Sequence, residues 1–504
     1  MPGNGSNQHK PLPPIDEIAP HIHTYWKMRL PDVEVVKRLR ESHIDLNRYG
    51  IGLTSYRAIR KRLGLMSARQ QQHTLETIHE DMAVLRVAYP KAGAREMVNL
   101  LFFQKGKRVP RDLVVSYFRI FEPQLILERK AGRLQRRRFW AAGVRDLLAV
   151  DQHDKFKRFG LALHAGIDPF SGVIYWIRIW WTNNNPKLIT SYYLDTAQKN
   201  QAVPLVTQSD PGSENYGIAN AHTYIRQHYD KTLVGTVQHR WMRHKKNVKP
   251  EITWSQLRRR FTPGFENLIQ QGVTREIYDT NRQLDVLVFR WLFIPFLQSE
   301  LDAYADRVNY TRKRSDRNKI LPHGIPMDIQ MSPRTFGCLD FKIGVSQDVI
   351  DHVRSLYAPP DDPVFLLVPP EFERYAKIIY ESLGSPVVAR DTIWAIYSDM
   401  LDQFERLDEL ADLADGIADY MRALEESERN QELGPPEGRE LEGGYDPENP
   451  DADYYMGGLN NGRGIDADTL QELKQMDDND EFELEAVFSD VEVGEDGEEI
   501  IEEW

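Results

Sequence analysis

Three segments between residues 147 and 261 decide the fold, because each places an acidic residue at the end of a predicted strand or the start of a predicted helix. The segments are LLAVDQHDKF (147–156), PLVTQSDPGSEN (204–215) and NVKPEITWSQLRRRF (247–261). LLAV is a short apolar run typical of a buried strand, and PLVTQS is predicted to be a second one. Asp151 and Asp210 follow these runs directly. If the strands are parallel neighbours, both carboxylates project from the same edge of one sheet.

A third acid comes from the last segment. Glu251 is predicted to lie in the first turn of a helix, where Pro250 is tolerated and the helix dipole favours a carboxylate. Trp254, Leu257 and Phe261 form an apolar stripe that can pack this helix onto the sheet. The helix would therefore bring a third carboxylate to the two aspartates.

Each acid also has a simpler interpretation. Asp151 could be a turn residue, with Asp154 beside it as a competing ligand, and Asp210 begins D-P-G, an ordinary turn signal. Glu251 could be no more than a first-turn acid. Three acids in these settings and in this order nevertheless favour a shared site.

The pattern around these segments predicts an α/β fold. FGLALHAGID (159–168) and VIYWIRIWW (173–181) read as a hairpin, and NPKLITSYYLDTAQ (185–198) as a helix with Asn185 as its cap. A helix is predicted at about 219–228, a short last strand in LVGTVQ and a helix from about residue 247. That order is the order of a ribonuclease H-like fold, with three antiparallel strands, two parallel strands and flanking helices.

Length and composition limit the class of protein. A chain of 504 residues predicts two to four structural units. The single cysteine, Cys338, excludes a disulfide framework and a cysteine-rich zinc site. No apolar run has membrane-spanning length, and the N-terminus lacks the apolar segment of a signal peptide, so a soluble intracellular protein is expected.

Charge is distributed unevenly along the chain. Residues 425–504 hold 28 acidic and four basic residues, whereas residues 1–424 hold 60 Lys and Arg against 48 Asp and Glu. A body with a net charge of +12 fits a polyanionic partner. The tail is predicted to be disordered, and either to keep the protein soluble or to compete for the same basic surface.

The three acidic segments resemble the integrase catalytic core of retroviruses and related transposons, and closely resemble integrase-core proteins of fungal genomes. AVDQHDKF corresponds to the first aspartate segment of that family, TQSDPGSENYGIAN to the second and PEITW to its glutamate-x-x-tryptophan helix. LPHGIP (321–326) resembles the Pro-His motif that follows the core. Pro211 departs from the pattern, because retroviral sequences have asparagine there. The spacing from Asp210 to Glu251 is also a few residues longer than the corresponding spacing in the retroviral sequences.

The resemblance implies a magnesium- or manganese-dependent polynucleotidyl transferase, with Asp151, Asp210 and Glu251 as ligands of two ions. Two ions about 3.5–4 Å apart stabilise the attacking and leaving oxygens of a phosphodiester together. The expected partner is DNA, or an RNA-DNA hybrid, with no membrane. Homo-oligomerisation stays open, and a nuclear location is favoured over the cytoplasm. Without a cysteine before Cys338 no zinc domain of the retroviral type is expected, although His21, His23 and His43 are present.

Nucleic-acid contacts are predicted from position beside the acids. The candidate residues are Lys245, Lys246, Lys249, Arg258, Arg259, Arg136, Arg137 and Arg138. The last three belong to a basic run that could also be a nuclear localisation signal. Two other functions stay open: a domesticated integrase-like protein that binds nucleic acid or protein without catalysis, and a ribonuclease H-type nuclease.

The predicted organisation has six parts: a disordered N-terminus (1–18), a helix-turn-helix-like region (19–70), a helical region with a basic linker (71–139), the integrase-like core (140–265), a mostly helical region (266–424) and the disordered acidic tail (425–504).

Overall fold

A computed structural model describes most of the chain. The described residues are 10–122, 141–242, 248–313, 321–407, 410–429, 433–441, 492–493 and 499–500. Side chains are not described for 248–249, Glu251, 410–412 and the last two pairs.

Helices form the N-terminal part. They are α1 (Ile15–Lys27), α2 (Asp32–Ser42), α3 (Leu53–Arg62), α4 (Ala68–Gln71), α5 (Leu75–Ala88), α6 (Ala94–Lys105) and α7 (Arg111–Phe121). Helix α1 begins inside the stretch predicted to be disordered, because Ile18, Ile22 and Tyr25 bury one apolar face.

Helices α2 and α3 pack together, but they differ from a compact helix-turn-helix. Ten residues, 43–52, join them, whereas such motifs use a turn of about three or four residues. Arg57 and Arg60 of α3 both pair with Asp32 at the start of α2. Two basic side chains of the helix-turn-helix-like region are therefore paired within the helical cluster.

The described strands are β1 (Gly143–Val144), β2 (Leu147–His153), β3 (Ala162–Ile167), β4 (Ile174–Trp180), β5 (Ala202–Val203), β6 (Val206–Ser209), β7 (His239–Trp241), β8 (Leu339–Asp340), β9 (Ile343–Gly344), β10 (Glu492–Val493) and β11 (Glu499–Ile500). Five of them form a mixed sheet in the order β4-β3-β2-β6-β7. β4 and β2 pair with β3 in antiparallel register, and β6 is parallel to β2 and β7. A mixed sheet with flanking helices agrees with the predicted α/β class.

The arrangement of strands differs from the prediction in its details. The last strand is His239–Trp241 and not LVGTVQ (233–238), because Lys231–Leu233 form a 3-10 turn and Gly235 has a φ of +84°. A positive φ at Gly235 interrupts an extended run. The short strands β1 and β5, which the prediction lacked, pair with β8 and β9.

Helices cover both faces of the sheet. The described helices from residue 186 onward are α8 (Pro186–Asn200), α9 (Tyr216–Tyr229), α10 (Val248–Arg260), α11 (Thr262–Thr274), α12 (Gln283–Asn309), α13 (Pro326–Met331), α14 (Gln347–Tyr357), α15 (Pro370–Ser382), α16 (Ile393–Glu405) and α17 (Leu410–Arg429). Leu148 and Val150 pack into the cluster of α8, α9 and α14, whereas Ala149 packs into the larger cluster that includes α10 and α12. This alternation follows the period of two along β2.

A proline lies inside one long helix, and one predicted boundary differs from the structure. Helix α12 contains Pro295, and Leu292 and Leu297 on either side of it are buried in the core. Helix α17 extends to Arg429, beyond the predicted start of the tail, and residues 433–441 continue beside the sheet. Among the described residues, no helix combines the length and apolarity required to cross a membrane.

Candidate active site

Asp151 and Asp210 occupy equivalent positions on neighbouring parallel strands. Leu147, Leu148 and Ala149 pair with residues 59 positions later in β6, and Asp210 follows Asp151 by the same 59 positions. Asp210 stands one residue beyond the end of β6. Because neighbouring strands lie about 4.8 Å apart and side chains alternate with a period of two, this register places both acids on the same face of the sheet.

Helix α10 packs over this face. Trp254, Leu257 and Phe261 are buried in the apolar cluster that also contains Ala149 and Ala165 of the sheet, as the apolar stripe predicts. The Trp254 indole N–H donates to Oδ2 of Asp151 at 2.9 Å. Its ring also stacks on His153, with 4.9 Å between the ring centroids. Burial, together with the charges of Lys155 and Arg258, lowers the pKa of His153 to about 4, so this ring is neutral at pH 7.

Glu251 lies in the first turn of α10, one helical turn before Trp254. Three residues of α-helix rise about 4.5 Å along the axis, so the backbone of Glu251 is close to the tryptophan that contacts Asp151. The carboxyl group of Glu251 itself lies outside the described residues. The backbone of α10 therefore places residue 251 one turn from the contact between Trp254 and Asp151. The role of Glu251 as a third ligand stays a prediction.

The competing acid, Asp154, has other partners. Its Oδ2 pairs with Lys157 Nζ at 2.8 Å, and its Oδ1 accepts from Asn183 Nδ2 at 2.9 Å. It follows the end of β2 and lacks the register that Asp151 shares with Asp210.

Glu214 is an acid beside the site that the sequence analysis missed. Burial, and then the negative charges of Asp154 and Asp210, raise the pKa of its carboxyl group. Its Oε1 accepts from Asn215 Nδ2 at 2.8 Å. A Cβ at Gly212 would lie 2.1 Å from the Glu214 carboxylate, so the glycine allows this side chain to fold back. The turn signal D-P-G was the only sequence sign that this loop reverses direction.

A buried network supports the backbone of Asp210. The Ser209 hydroxyl donates to the carbonyl oxygen of Asp210 at 2.9 Å and lies 3.0 Å from Nε2 of His239. Thr207 Oγ1 lies 2.8 Å from Nδ1 of the same ring. Burial, and then the charge of Arg240, lower the pKa of His239 to about 3. The neutral ring therefore donates from Nε2 to Ser209 and accepts at Nδ1 from Thr207.

Comparison with known proteins identifies this part of the chain. Residues 140–331 match the family model described as integrase core domain. The segment is an integrase core domain. The match covers less than half of the chain and extends beyond the predicted core end at 265, through α12 to α13. No curated protein matches the chain. The closeness to fungal integrase-core proteins stays a prediction.

The basic residues predicted near the integrase core acids differ in their surroundings. Arg258 is exposed, whereas Arg259 folds back so that its Nε donates to the Ser255 carbonyl at 3.2 Å. The remaining candidates are outside the described residues or described by backbone alone: Lys245, Lys246, Lys249, Arg136, Arg137 and Arg138.

Asp151 and Asp210 carry carboxylate oxygens, the ligand type that suits a hard divalent cation such as Mg²⁺ or Mn²⁺. Two further acids lie near them, since burial, and then the charges of Asp154 and Asp210, raise the pKa of Glu214. Among the described side chains, which do not include that of Glu251, no group of three or more His, Cys, Asp or Glu is arranged to hold a metal ion.

Proposed function

We propose that the integrase core domain is the catalytic centre of a metal-dependent polynucleotidyl transferase that cleaves and joins DNA strands. The observation that carries this proposal is the shared register of Asp151 and Asp210 on parallel strands. The Trp254 contact to Asp151 supports it, because that contact fixes helix α10, and with it Glu251, against the same strand.

In this proposal Asp151, Asp210 and Glu251 hold two Mg²⁺ or Mn²⁺ ions. When bound, the ions polarise the phosphodiester and lower the pKa of the attacking hydroxyl or water. Trp254 orients the Asp151 carboxylate, and the Ser209 and His239 pair fixes the backbone at Asp210. The Glu214 carboxylate adds negative charge beside Asp210, which strengthens the attraction for cations.

The basic residues hold the substrate by its phosphates. Arg258 is the described candidate that is exposed on α10. Lys245, Lys246, Lys249 and the run Arg136, Arg137 and Arg138 complete the proposed contacts. Phosphate contacts of this kind position a strand without reading its sequence. A role in DNA integration by a transposable element, in the nucleus, follows from this proposal.

A cleavage and strand-transfer assay tests the function. Wild type, Asp151→Asn, Asp210→Asn and Glu251→Gln are compared in Mg²⁺ and Mn²⁺ on end-processed, nicked and RNA-DNA hybrid substrates. Each variant should lose more than about 100-fold in rate, since loss of partners outside the ligand shell already costs about 10- to 100-fold.

Asp154→Asn is the matched control, because it makes the same chemical change three residues away. It should keep wild-type activity. A wild-type protein with no metal-dependent activity on any substrate would contradict the proposed enzyme function. Full activity of Glu251→Gln would contradict the assignment of Glu251 as the third metal ligand.

A second candidate function is nucleic-acid or protein binding without catalysis. The long acidic tail favours it, since such a tail is unusual for a strand-transfer enzyme. In that case the wild type and the acid variants bind DNA equally and none of them cleaves. Cleavage of the hybrid substrate alone would instead indicate a ribonuclease H-type nuclease.

A further inference from the structure

A cavity of about 280 Å³ lies where the N-terminal helices meet the end of α12. Four arginines line it: Arg29, Arg95, Arg111 and Arg312. None of the described lining residues is acidic. Four guanidinium groups around one concave space create a strongly positive potential, which low-dielectric walls concentrate.

Three helices begin at this cavity. Pro31, the N-cap of α2, lines it, and so do Arg95 and Arg111, the second residue of α6 and the first residue of α7. The N-caps of these helices are Pro31, Gly93 and Pro110, and none of them makes a side-chain capping hydrogen bond. The partial positive charges of these helix ends therefore add to the charge of the arginines.

Arg29 is held there in an unusual way. It follows the end of α1 with a φ of +58°, the left-handed region in which glycine is usual after a helix. Its Nη2 donates to Asn99 Oδ1 at 2.6 Å. Burial, and then the charges of Arg108 and Arg95, lower the pKa of Arg29 to about 10. The Arg29 guanidinium therefore stays positively charged at pH 7, although other cations lie nearby. Its backbone also keeps a conformation that glycine would adopt more easily.

We propose that this cavity, hereafter the arginine cavity, binds a phosphate group. Arginine forks donate two parallel hydrogen bonds to phosphate oxygens, and several guanidinium groups can surround one tetrahedral anion. The volume leaves room for the groups esterified to the phosphate.

The phosphate could belong to a nucleic-acid strand or to a free phosphate compound. The cavity opens at the exposed Arg312, beside Lys313, so a strand can reach it from the surface. The proposal that a nucleic-acid strand supplies the phosphate rests on the proposed function. The proposal that the arginine cavity binds a phosphate group does not depend on it.

Binding measurements on the full chain without divalent metal test the site separately from catalysis. Inorganic phosphate is titrated by calorimetry into wild type, Arg312→Gln and Arg95→Gln/Arg312→Gln, and fluorescein-labelled DNA is titrated in parallel. The double variant should bind the responsible ligand at least tenfold more weakly. Arg406→Gln/Arg422→Gln removes the same charge from two exposed positions, one directly after α16 and one on α17, and should bind as wild type does.

The possible outcomes separate the two sources. If DNA displaces bound phosphate, or if only DNA binding depends on Arg95 and Arg312, the strand supplies the phosphate. If phosphate binds and DNA does not displace it, a free phosphate compound is the ligand. The proposal is overturned if neither ligand distinguishes cavity variants from the control. Arg312 is exposed, so Arg312→Gln should fold normally, and phosphate should raise the melting temperature of wild type more than that of this variant.

Discussion

The Trp254 indole joins the helix that carries Glu251 to the strand that carries Asp151. Trp254→Phe keeps an aromatic ring for the stack on His153 but removes the N–H donor. We expect the variant to cleave DNA about 10- to 100-fold more slowly, because a hydrogen bond to a charged group contributes about 1.5–3 kcal/mol. Single-turnover rates at saturating metal measure the effect.

Trp180→Phe provides the control. Its indole N–H donates to the Val364 carbonyl at 3.1 Å, away from the acids, so the same change there should alter stability and leave the rate unaffected. Equal losses of rate in the two variants would show that Trp254 acts only through packing.

At the scale of residues, the sequence predicted two buried strands that carry Asp151 and Asp210, and β2 and β6 are parallel neighbours. Asp151 lies within β2 and not at its end, and the roles of both acids stay predictions. Glu214 could not be found in the same way. Its place depends on a reversal of the chain at Gly212, which is a tertiary feature of the loop. His239 is completely buried and bonded to Thr207 and Ser209, and its strand was predicted a few residues too early.

Helix α10 is fixed at its C-terminal end as well as at Trp254. Arg260 Nη1 lies 3.5 Å from Glu96 Oε2, and the other carboxylate oxygen of Glu96 pairs with the buried Arg307 at 2.8 Å. Burial opposes ionisation of Glu96, but the charges of Arg307 and Arg260 outweigh it and keep the pKa of this carboxyl below its usual value. The last turn of the helix is thus linked to α6 and α12 through one acid.

Glu96→Gln should destabilise the protein by about 3–5 kcal/mol, because it leaves the charge of Arg307 buried without its counter-ion. The Glu96 pKa is depressed in the folded state, so its contribution is present above the unfolded pKa, about 4.3, and is lost as pH falls through the folded value. Urea unfolding at pH 7 and between pH 5 and 3 measures both effects.

The Glu96→Gln protein should therefore be much less stable than wild type at pH 7. Between pH 5 and 3 it should lose less stability than wild type does, because it lacks the carboxylate that becomes protonated. Arg260→Gln is the comparison, since that side chain is 43 % exposed and should cost less than about 1 kcal/mol. A Glu96→Gln protein as stable as wild type at pH 7 would contradict the assigned role.

At the scale of elements, hydrophobic periodicity located the hairpin and the helices beside the sheet, since burial of one face determines both. It failed at the last strand, because the positive φ of Gly235 interrupts the apolar run and the strand begins only at His239. Pro295 lies inside α12, where packing on both sides outweighs the lost hydrogen bond.

For the molecule as a whole, the structure shows where the acidic tail can be removed. Residues 434–441 are part of the folded protein: Arg439 bonds to Gly235 and Val237 through its backbone, and Leu441 packs against Leu147. Residues 442–504 carry 22 acidic and two basic residues, which leaves a net charge of +8 on residues 1–441.

Truncation after Leu441 should strengthen DNA binding at low salt by about fivefold or more, the lower end of ordinary coupling between two sites. The tail and DNA would compete for the same basic surface, so the difference should shrink as salt screens both. Fluorescence anisotropy over a salt series measures it. A shuffled tail of the same composition should bind as wild type does, and unchanged affinity after truncation would reject the competition.

Arg38 in α2 forms a buried ion pair with Asp328 in α13, so the N-terminal helices and the end of the matched segment are packed together. Ile325 likewise packs among the N-terminal helices, and the main apolar cluster joins β3 to α5, α6, α15 and α16. A fragment limited to residues 140–331 would expose these apolar faces and leave Asp328 without its arginine. The segment that matches the family is therefore shorter than the unit that folds, and biochemical assays need residues from both sides of it.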